Sequence, residues 1–336
     1  ALEPKRSLPD PVALALAAPI GSPPLPDLVR QGQSIAIIIS DITRPCPNHL
    51  LLPPLLAELG AAGVHDEDIL IVSAIGSHRH QTEDERRRLV GPEAYSRLVC
   101  IDSDPTQVSY VGTTSRGTPV ETFTPVVHAD VRIALGNVEP HYFAGYSGGV
   151  KALVPGVCSL KTIQKNHAMM VERTAKMGRL DGNPVREDLE EAAEMVGLDF
   201  ILNVILDDDH NIVIAAAGHP VVAHRWACRA LDFQRKVIIE EPADIVVVSA
   251  GGYPKDINLY QAQKALDNAA AAVKEGGRII WLAESREGLG NDTFEAWIVN
   301  TRPDDILARI QKNFVLGGHK AAAIARVLKR ADISLV

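Results

Sequence analysis

The chain has 336 residues, enough for about two domains, and is 46% hydrophobic and 23% charged, the balance of a globular protein able to bury a large core. Its 34 Lys+Arg against 42 Asp+Glu leave a net charge of −8 with only 4% aromatics, which argues against a nucleic-acid partner. No apolar run approaches the ~20 residues of a membrane span, so no membrane partner is expected. "ALEPKRSLPD" lacks the apolar core of a signal peptide. Cys46, Cys100, Cys158 and Cys228 are far apart and form no CxxC, which predicts neither a disulfide framework nor a zinc ribbon and suits a reducing cytoplasm. The chain starts without Met and ends on the strand-like "ADISLV", the pattern expected of a trimmed version of a longer protein.

In chain order, "SIAIIIS" (34–40) reads as a buried strand that runs into the polar "DITRP". "HLLLPPLLAELGAAGV" (49–64) reads as a helix with Pro53 and Pro54 near its first turn. "DILIVSAI" (68–75) is a second buried strand, ending in "GSHRH". The stretch "TEDERRRLVG" follows as a helix whose mixed charges give a solvated face. "VRIALGNV" (131–138) is a third strand, and it leads into "EPHYFAGYSGGVKALVPG". Two helices come next, over 159–177 and 183–197, then a hairpin over 200–218 turning at Asp208–Asn211. A helix over 221–237 is placed to cross between domains. "ADIVVVSAGGYP" restarts the pattern, followed by a helix from Asn258 and the strand "RIIWLAES". The recurring strand–loop–helix unit predicts two α/β domains with mostly parallel sheets, over 1–239 and 240–336. Ligands of such sheets sit beyond the carboxyl ends of the strands, where DITRP, GSHRH and the glycine loop all fall.

Lys151 follows that run of small residues and glycines, whose backbone can approach another group closely. The phosphate-loop pattern fails because Val150 separates Gly149 from Lys151 and Ala152 stands where a hydroxyl is needed. "GYSGG" also misses the dinucleotide fingerprint. What remains is capture of a ligand, covalent or electrostatic, against a bland reading as a surface lysine after a turn. His78, His80, His141 and His167 are the histidines with candidate roles. A pair at separate strand ends can flank a substrate as base and acid. The His78–His80 spacing also allows zinc, although no acidic third ligand follows. The seven other histidines read as structural or surface residues. Arg44 suits a phosphate or carboxylate, with a capping turn as the alternative for Asp41 and Thr43. Gln261 and Lys264 share a face if helical, and a solvated face is the plain reading.

Five blocks in order, "DITRP", "GSHR", "EPHYFAGYSGGVKALVPG", "TIQKNH" and "YQAQKA", resemble the nickel-dependent lactate racemase family from about Ile35 to about Ala270. The resemblance implies two α/β domains with the active-site cleft between them. It also implies a nickel pincer nucleotide cofactor, pyridinium-3-thioamide-5-thiocarboxylic acid mononucleotide. Lys151 would carry the cofactor through a thioamide link, His167 would be the protein ligand to nickel, and Asp41, Ile42, Thr43 and Arg44 would hold the nucleotide. His78 and His141 would be the acid/base pair, with Gln261 and Lys264 on the substrate. The implied reaction is racemisation or epimerisation of a 2-hydroxy acid through a 2-keto acid, by hydride transfer to and from the cofactor. Cofactor-synthesis enzymes are the implied partners. The alternatives are a non-catalytic binder or carrier of a phosphorylated nucleotide-type ligand, and a zinc hydrolase using His78, His80 and His141. Family members usually continue past residue 336, so a C-terminal piece is expected to be missing.

Overall fold

A computed structural model describes residues 10–315 and 317–336. Nine of the ten residues of "ALEPKRSLPD" lie outside the described residues. Contacts divide the chain into two compact units. The first holds the chain through His141 with Tyr146–Ile163 and Arg186–Lys236. The second holds Tyr142–Gly145, Gln164–Val185 and Val237–Val336, so it includes two segments far from residue 240 in the chain.

The first unit is built on a six-stranded sheet. Its strands lie in the order Ile212–Gly218, Phe200–Leu206, Val131–Asn137, Ile35–Ser40, Ile69–Ala74, Val99–Asp102. All neighbours are parallel except Ile212–Gly218, which returns antiparallel from the hairpin turn. Ile35–Ser40 sits centrally because both of its faces are apolar: Ile35, Ala36, Ile37, Ile38 and Ile39 are each at most 1% exposed. Each buried isoleucine contributes about 1.5–3 kcal/mol of transfer free energy, opposed by the cost of ordering the chain. One face, through Ile35, Ile37, Ile133 and Leu202, packs on Leu51, Leu55 and Leu59 of the helix Asn48–Ala61 and on Leu89 and Val90 of the helix Glu83–Val90. The other face carries the short turn Gly149–Ala152, against Ile35–Ser40, Val131–Asn137 and Phe200–Leu206, and the helix Val222–Arg235. That packing puts the turn bearing Lys151 directly on the sheet.

Several elements differ from their sequence expectation. Pro53 and Pro54 lie inside the helix Asn48–Ala61 rather than in its first turn. The carbonyls they leave without an intrahelical donor belong to His49 and Leu50, both exposed, where water can satisfy them. The helix expected over 159–177 stops as Leu160–Ala168, then tightens into a 3₁₀ turn at Met169–Val171. The helix Val222–Arg235, expected to cross between domains, belongs to the first unit and packs on its hairpin strands.

The second unit has a parallel sheet in the order Ala243–Ser249, Val273–Leu282, Asp332–Leu335. Ile279 and Trp281 are buried with Leu266, Phe294, Trp297 and Ile310 from the helices of that unit. The helix Gly318–Leu328 comes so close to Trp297 that a Cβ on Gly318 would stand 2.7 Å from the indole. No helix among the described residues is long and apolar enough to cross a membrane.

Candidate active site

The strand Ile35–Ser40 ends in the DITRP segment, which folds as a turn closed by the Arg44 N–H to the Asp41 carbonyl at 3.1 Å. Asp41 is buried, and its Oδ1 accepts from the Thr43 hydroxyl at 2.7 Å and the Thr43 N–H at 3.3 Å. That is an Asx turn, a local bond that holds the loop without a helix. The turn does not cap the following helix, whose N-cap position is Pro47. The Ile42 N–H donates to Gln81 at 2.9 Å, and Gln81 is held in turn by Asp102.

The other oxygen of Asp41, Oδ2, lies 2.5 Å from Nδ1 of His78. His78 sits just past the end of the neighbouring strand Ile69–Ala74, where the chain turns through Gly76. Burial alone would push the Asp41 carboxyl up. The bonds from His78 and Thr43 and the charges of His78 and Arg44 outweigh it, so the group is held below the usual carboxylate range. An ionised Asp41 fixes the proton of His78 on Nδ1 and leaves Nε2 as the ring's basic nitrogen.

Lys151 stands in the turn Gly149–Ala152, and the loop before it is gripped by buried side chains of the same unit. Arg186, fully buried, donates to the carbonyl of Tyr146. His224 Nε2 donates to the carbonyl of Ser147 at 2.8 Å. Asn203 Oδ1 accepts from the Gly149 N–H at 2.6 Å, and the Tyr146 hydroxyl donates to Asp232 at 2.6 Å. Gly148 and Gly149 have φ of 72° and 61°, values that favour glycine. A Cβ on Gly148 would stand 2.8 Å from Asn203 Oδ1, and one on Gly149 2.7 Å from His224. These two glycines therefore serve the packing of the loop on its own protein. The Lys151 residue keeps partial exposure, yet burial, then the charges of Arg186 and Arg44, pull its pKa well below the ordinary lysine value. The lysine turn packs on the strand Ile35–Ser40, which runs directly into DITRP, and Arg44 acts electrostatically on both Asp41 and Lys151.

In the second unit, His167 ends the helix Leu160–Ala168, with Nδ1 3.0 Å from Asn166 Oδ1. Asn166 is buried, and its amide donates to the Val185 carbonyl at 3.1 Å, which turns Oδ1 toward the imidazole. With Nδ1 as donor, Nε2 carries the lone pair a metal needs. Phe143 and Phe314 meet the ring edge-on, with centroids at 4.9 Å and 5.8 Å. Gln261 and Lys264 lie on the helix Leu259–Ala269, half-buried and exposed respectively.

The lactate racemase N-terminal domain model matches residues 1–178, and the C-terminal domain model matches residues 238–336. The chain belongs to the lactate racemase family. It is 38% identical over 307 residues to a lactate racemase of Thermoanaerobacterium thermosaccharolyticum, covering 90% of this chain and 72% of that protein. It is 37% identical over 291 residues to a lactate racemase of Lactiplantibacillus plantarum, covering 84% of this chain and 68% of that one. The solved lactate racemase apoprotein from T. thermosaccharolyticum superposes with a TM-score of 0.89 at 36% identity, over 97% of this chain and 80% of that chain. A Thermotoga maritima crystal structure shares the fold, with a TM-score of 0.67 at 21% identity, over 91% of this chain and 83% of that one.

Among these lactate racemase family positions, Asp41, Thr43 and His78 are joined by hydrogen bonds, and the charge of Arg44 acts on Asp41 and on Lys151. His141 ends the short strand Pro140–His141, half-buried, in the same unit as His78. His80 turns away to Asp102, 3.5 Å from its Nδ1. Among the described residues no group of three or more His, Cys, Asp or Glu is arranged to hold a metal ion, which leaves the zinc-hydrolase reading with no ligand set. Arg186, Asn203 and His224 escaped the sequence reading. Their partners lie 40, 54 and 77 residues away in the chain, and no local pattern marks such contacts.

Proposed function

We propose that this protein racemises a 2-hydroxy acid of the lactate type with a nickel pincer nucleotide attached at Lys151. The observation that carries the reading is the Asp41–His78 hydrogen bond just past the strand on which the Lys151 turn packs, in a chain of the lactate racemase family. The residues fit the group. Burial around Lys151, then the charges of Arg186 and Arg44, pull its pKa down, which favours the neutral amine that a covalent link needs. His167, with Nδ1 engaged by Asn166, is prepared as a neutral metal ligand. Exposed Arg44 is the cation of its turn for the nucleotide phosphate, beside the backbone of Ile42 and Thr43. The carboxylate of Asp41 is already committed to His78 and Thr43, so its part is to orient His78.

When bound, the cofactor would supply a hydride acceptor for the substrate's α-carbon, so that no carbanion is needed. The chain handles the proton. His78 Nε2 takes the proton of the substrate hydroxyl for one enantiomer while Asp41 steadies the imidazolium, and His141 does so for the other. Gln261 and Lys264 bind the substrate, with the Lys264 ammonium on its carboxylate. Enzymes that synthesise the cofactor are the partners this reading requires.

The test is co-expression with those enzymes, followed by intact-mass and nickel analysis and polarimetry on single enantiomers of 2-hydroxy acids. An adduct lost in Lys151→Ala, and turnover lost in His78→Ala and His141→Ala with the adduct kept, are the expected results. Turnover surviving both histidine replacements rejects the two-base mechanism. An unmodified chain without nickel, given ample cofactor, rejects the attachment.

A further inference from the structure

Lys320 lies on the helix Gly318–Leu328 of the second unit and is only 6% exposed. Its ammonium stands 5.1 Å from the ring centroid of Tyr142 and 5.6 Å from that of Tyr260, and it donates to Gln263 Oε1 at 3.1 Å. Each of these three is the chain neighbour of a residue placed in the proposed site: Tyr142 of His141, Tyr260 of Gln261, and Gln263 of Lys264. Gln263 Nε2 in turn donates to Asp267, and Arg326 Nη2 lies 3.8 Å from the other oxygen of that carboxylate. Arg326 Nη1 donates to the carbonyls of Met170 and Ala175, at 2.7 Å and 3.1 Å, in the segment that follows His167. We propose that Lys320 is a positioning residue: one buried ammonium fixes the neighbours of His141, Gln261 and Lys264 to one another, and the relay through Gln263 and Asp267 ties them to Arg326 and the chain after His167.

Taking an ammonium out of water is costly unless charges or dipoles replace the solvent. The two rings do part of this, since an aromatic face attracts a cation within about 6 Å of its centroid. The Gln263 amide continues it: its oxygen only accepts and its NH₂ only donates, which sets the order cation, amide, carboxylate, cation. Every residue of the relay belongs to the second unit, and it joins two segments from the first half of the chain to the helices Leu259–Ala269 and Gly318–Leu328. An apolar side chain could fill the same space but would have no directional hold on any of the three groups. A misplacement of about 1 Å can cost a reaction about 10²-fold, so a group that fixes the neighbours of three site residues bears on turnover. That bearing rests on the proposed function; the setting of Lys320 does not.

The experiment compares Lys320→Met, which keeps the length and loses the charge, with Lys320→Arg, which keeps a cation for the rings and a donor for Gln263. On the unmodified full chain, hydrogen exchange read by mass spectrometry should quicken about tenfold in Lys320→Met over 142–145 and over the helix Leu259–Ala269, while the strand Ile35–Ser40 exchanges as in wild type. On adduct-bearing protein, Lys320→Met should raise KM for a 2-hydroxy acid about tenfold, the scale of a lost hydrogen bond to a charged group. A mere loss of folded enzyme would lower kcat and leave KM where it was. Lys320→Arg should stay within about threefold of wild type in both measurements. If Lys320→Met does not fold, Lys320→Gln takes its place with the same expectations. Unchanged exchange over 142–145, exchange raised equally in Ile35–Ser40, an unchanged KM, or a Lys320→Arg protein no better than Lys320→Met overturns the proposal. Absence of turnover in the wild-type adduct rejects the function proposed for the chain and leaves the exchange measurement to decide on Lys320.

Discussion

The Asp41 carboxylate meets His78 Nδ1 at 2.5 Å, with the Asp41 side chain 4% exposed and that of His78 43% exposed. On the proposed function the buried carboxylate orients the imidazole, and the open ring faces the substrate proton. Asp41→Asn should therefore lower kcat by about 10²–10⁴, the range of a lost general base, while KM changes little. Polarimetry with one lactate enantiomer on adduct-bearing protein measures this. Because the folded Asp41 pKa is depressed, its stabilising contribution is complete above the unfolded value of about 3.9 and is lost as pH falls through the folded value. The Asn variant should lose less stability on acidification below about pH 4.

Gly149 combines a φ of 61° with a space closed by His224. Gly149→Ala should cost about 1–3 kcal/mol from the backbone alone, with more from displacing the imidazole. Denaturant unfolding measures the loss, and the yield of modified Lys151 should fall with it. Full stability and full adduct yield in this variant would mean that the loop is not packed as described.

His224 is buried, and burial first, then Arg186, push its pKa down to about 3 against the opposing bond to Ser147. The unfolded chain takes up this proton near pH 6.5, the folded chain only near pH 3. Stability should thus fall on acidification between those values, by up to about 1.4 kcal/mol per pH unit from this group. His319, also pushed down to about 3, adds a contribution of the same sign. His224→Gln should lose about 1 kcal/mol at neutral pH and show a shallower acid slope. Urea midpoints at several pH values give both quantities, and parallel slopes in the two proteins would contradict a neutral buried imidazole.

Asn166 holds His167 by the ring nitrogen that a metal would not use. Asn166→Ala should weaken nickel retention about 10–100-fold while leaving the mass adduct at Lys151 in place. Metal analysis after challenge with a chelator measures it. Nickel retained as in wild type would remove Asn166 from the metal's support.

Much of the first unit is legible from local patterns. "SIAIIIS" and "VRIALGNV" are strands because runs of β-branched and aliphatic residues can bury both faces only in the middle of a parallel sheet. The stop of the helix at Ala168, ahead of the expected 177, was not legible, because "AMMVERTAKM" keeps a helical composition while the chain turns away through a 3₁₀ segment. The glycines before Lys151 announce an unusual backbone, but not that His224 and Asn203 are what they make room for.

The amino-acid sequence alone determined the α/β class, the order of most elements and the segments that hold Asp41, His78, His141, Lys151 and His167. Each depends on residues close in the chain, where periodicity and turn chemistry act. Only the tertiary structure decided which buried groups surround them: Arg186 behind the lysine loop, His224 as a neutral donor, Asp41 as the partner of His78. Burial and charge act through space, and a protonation state belongs to the neighbours that folding brings together rather than to the residue in the chain.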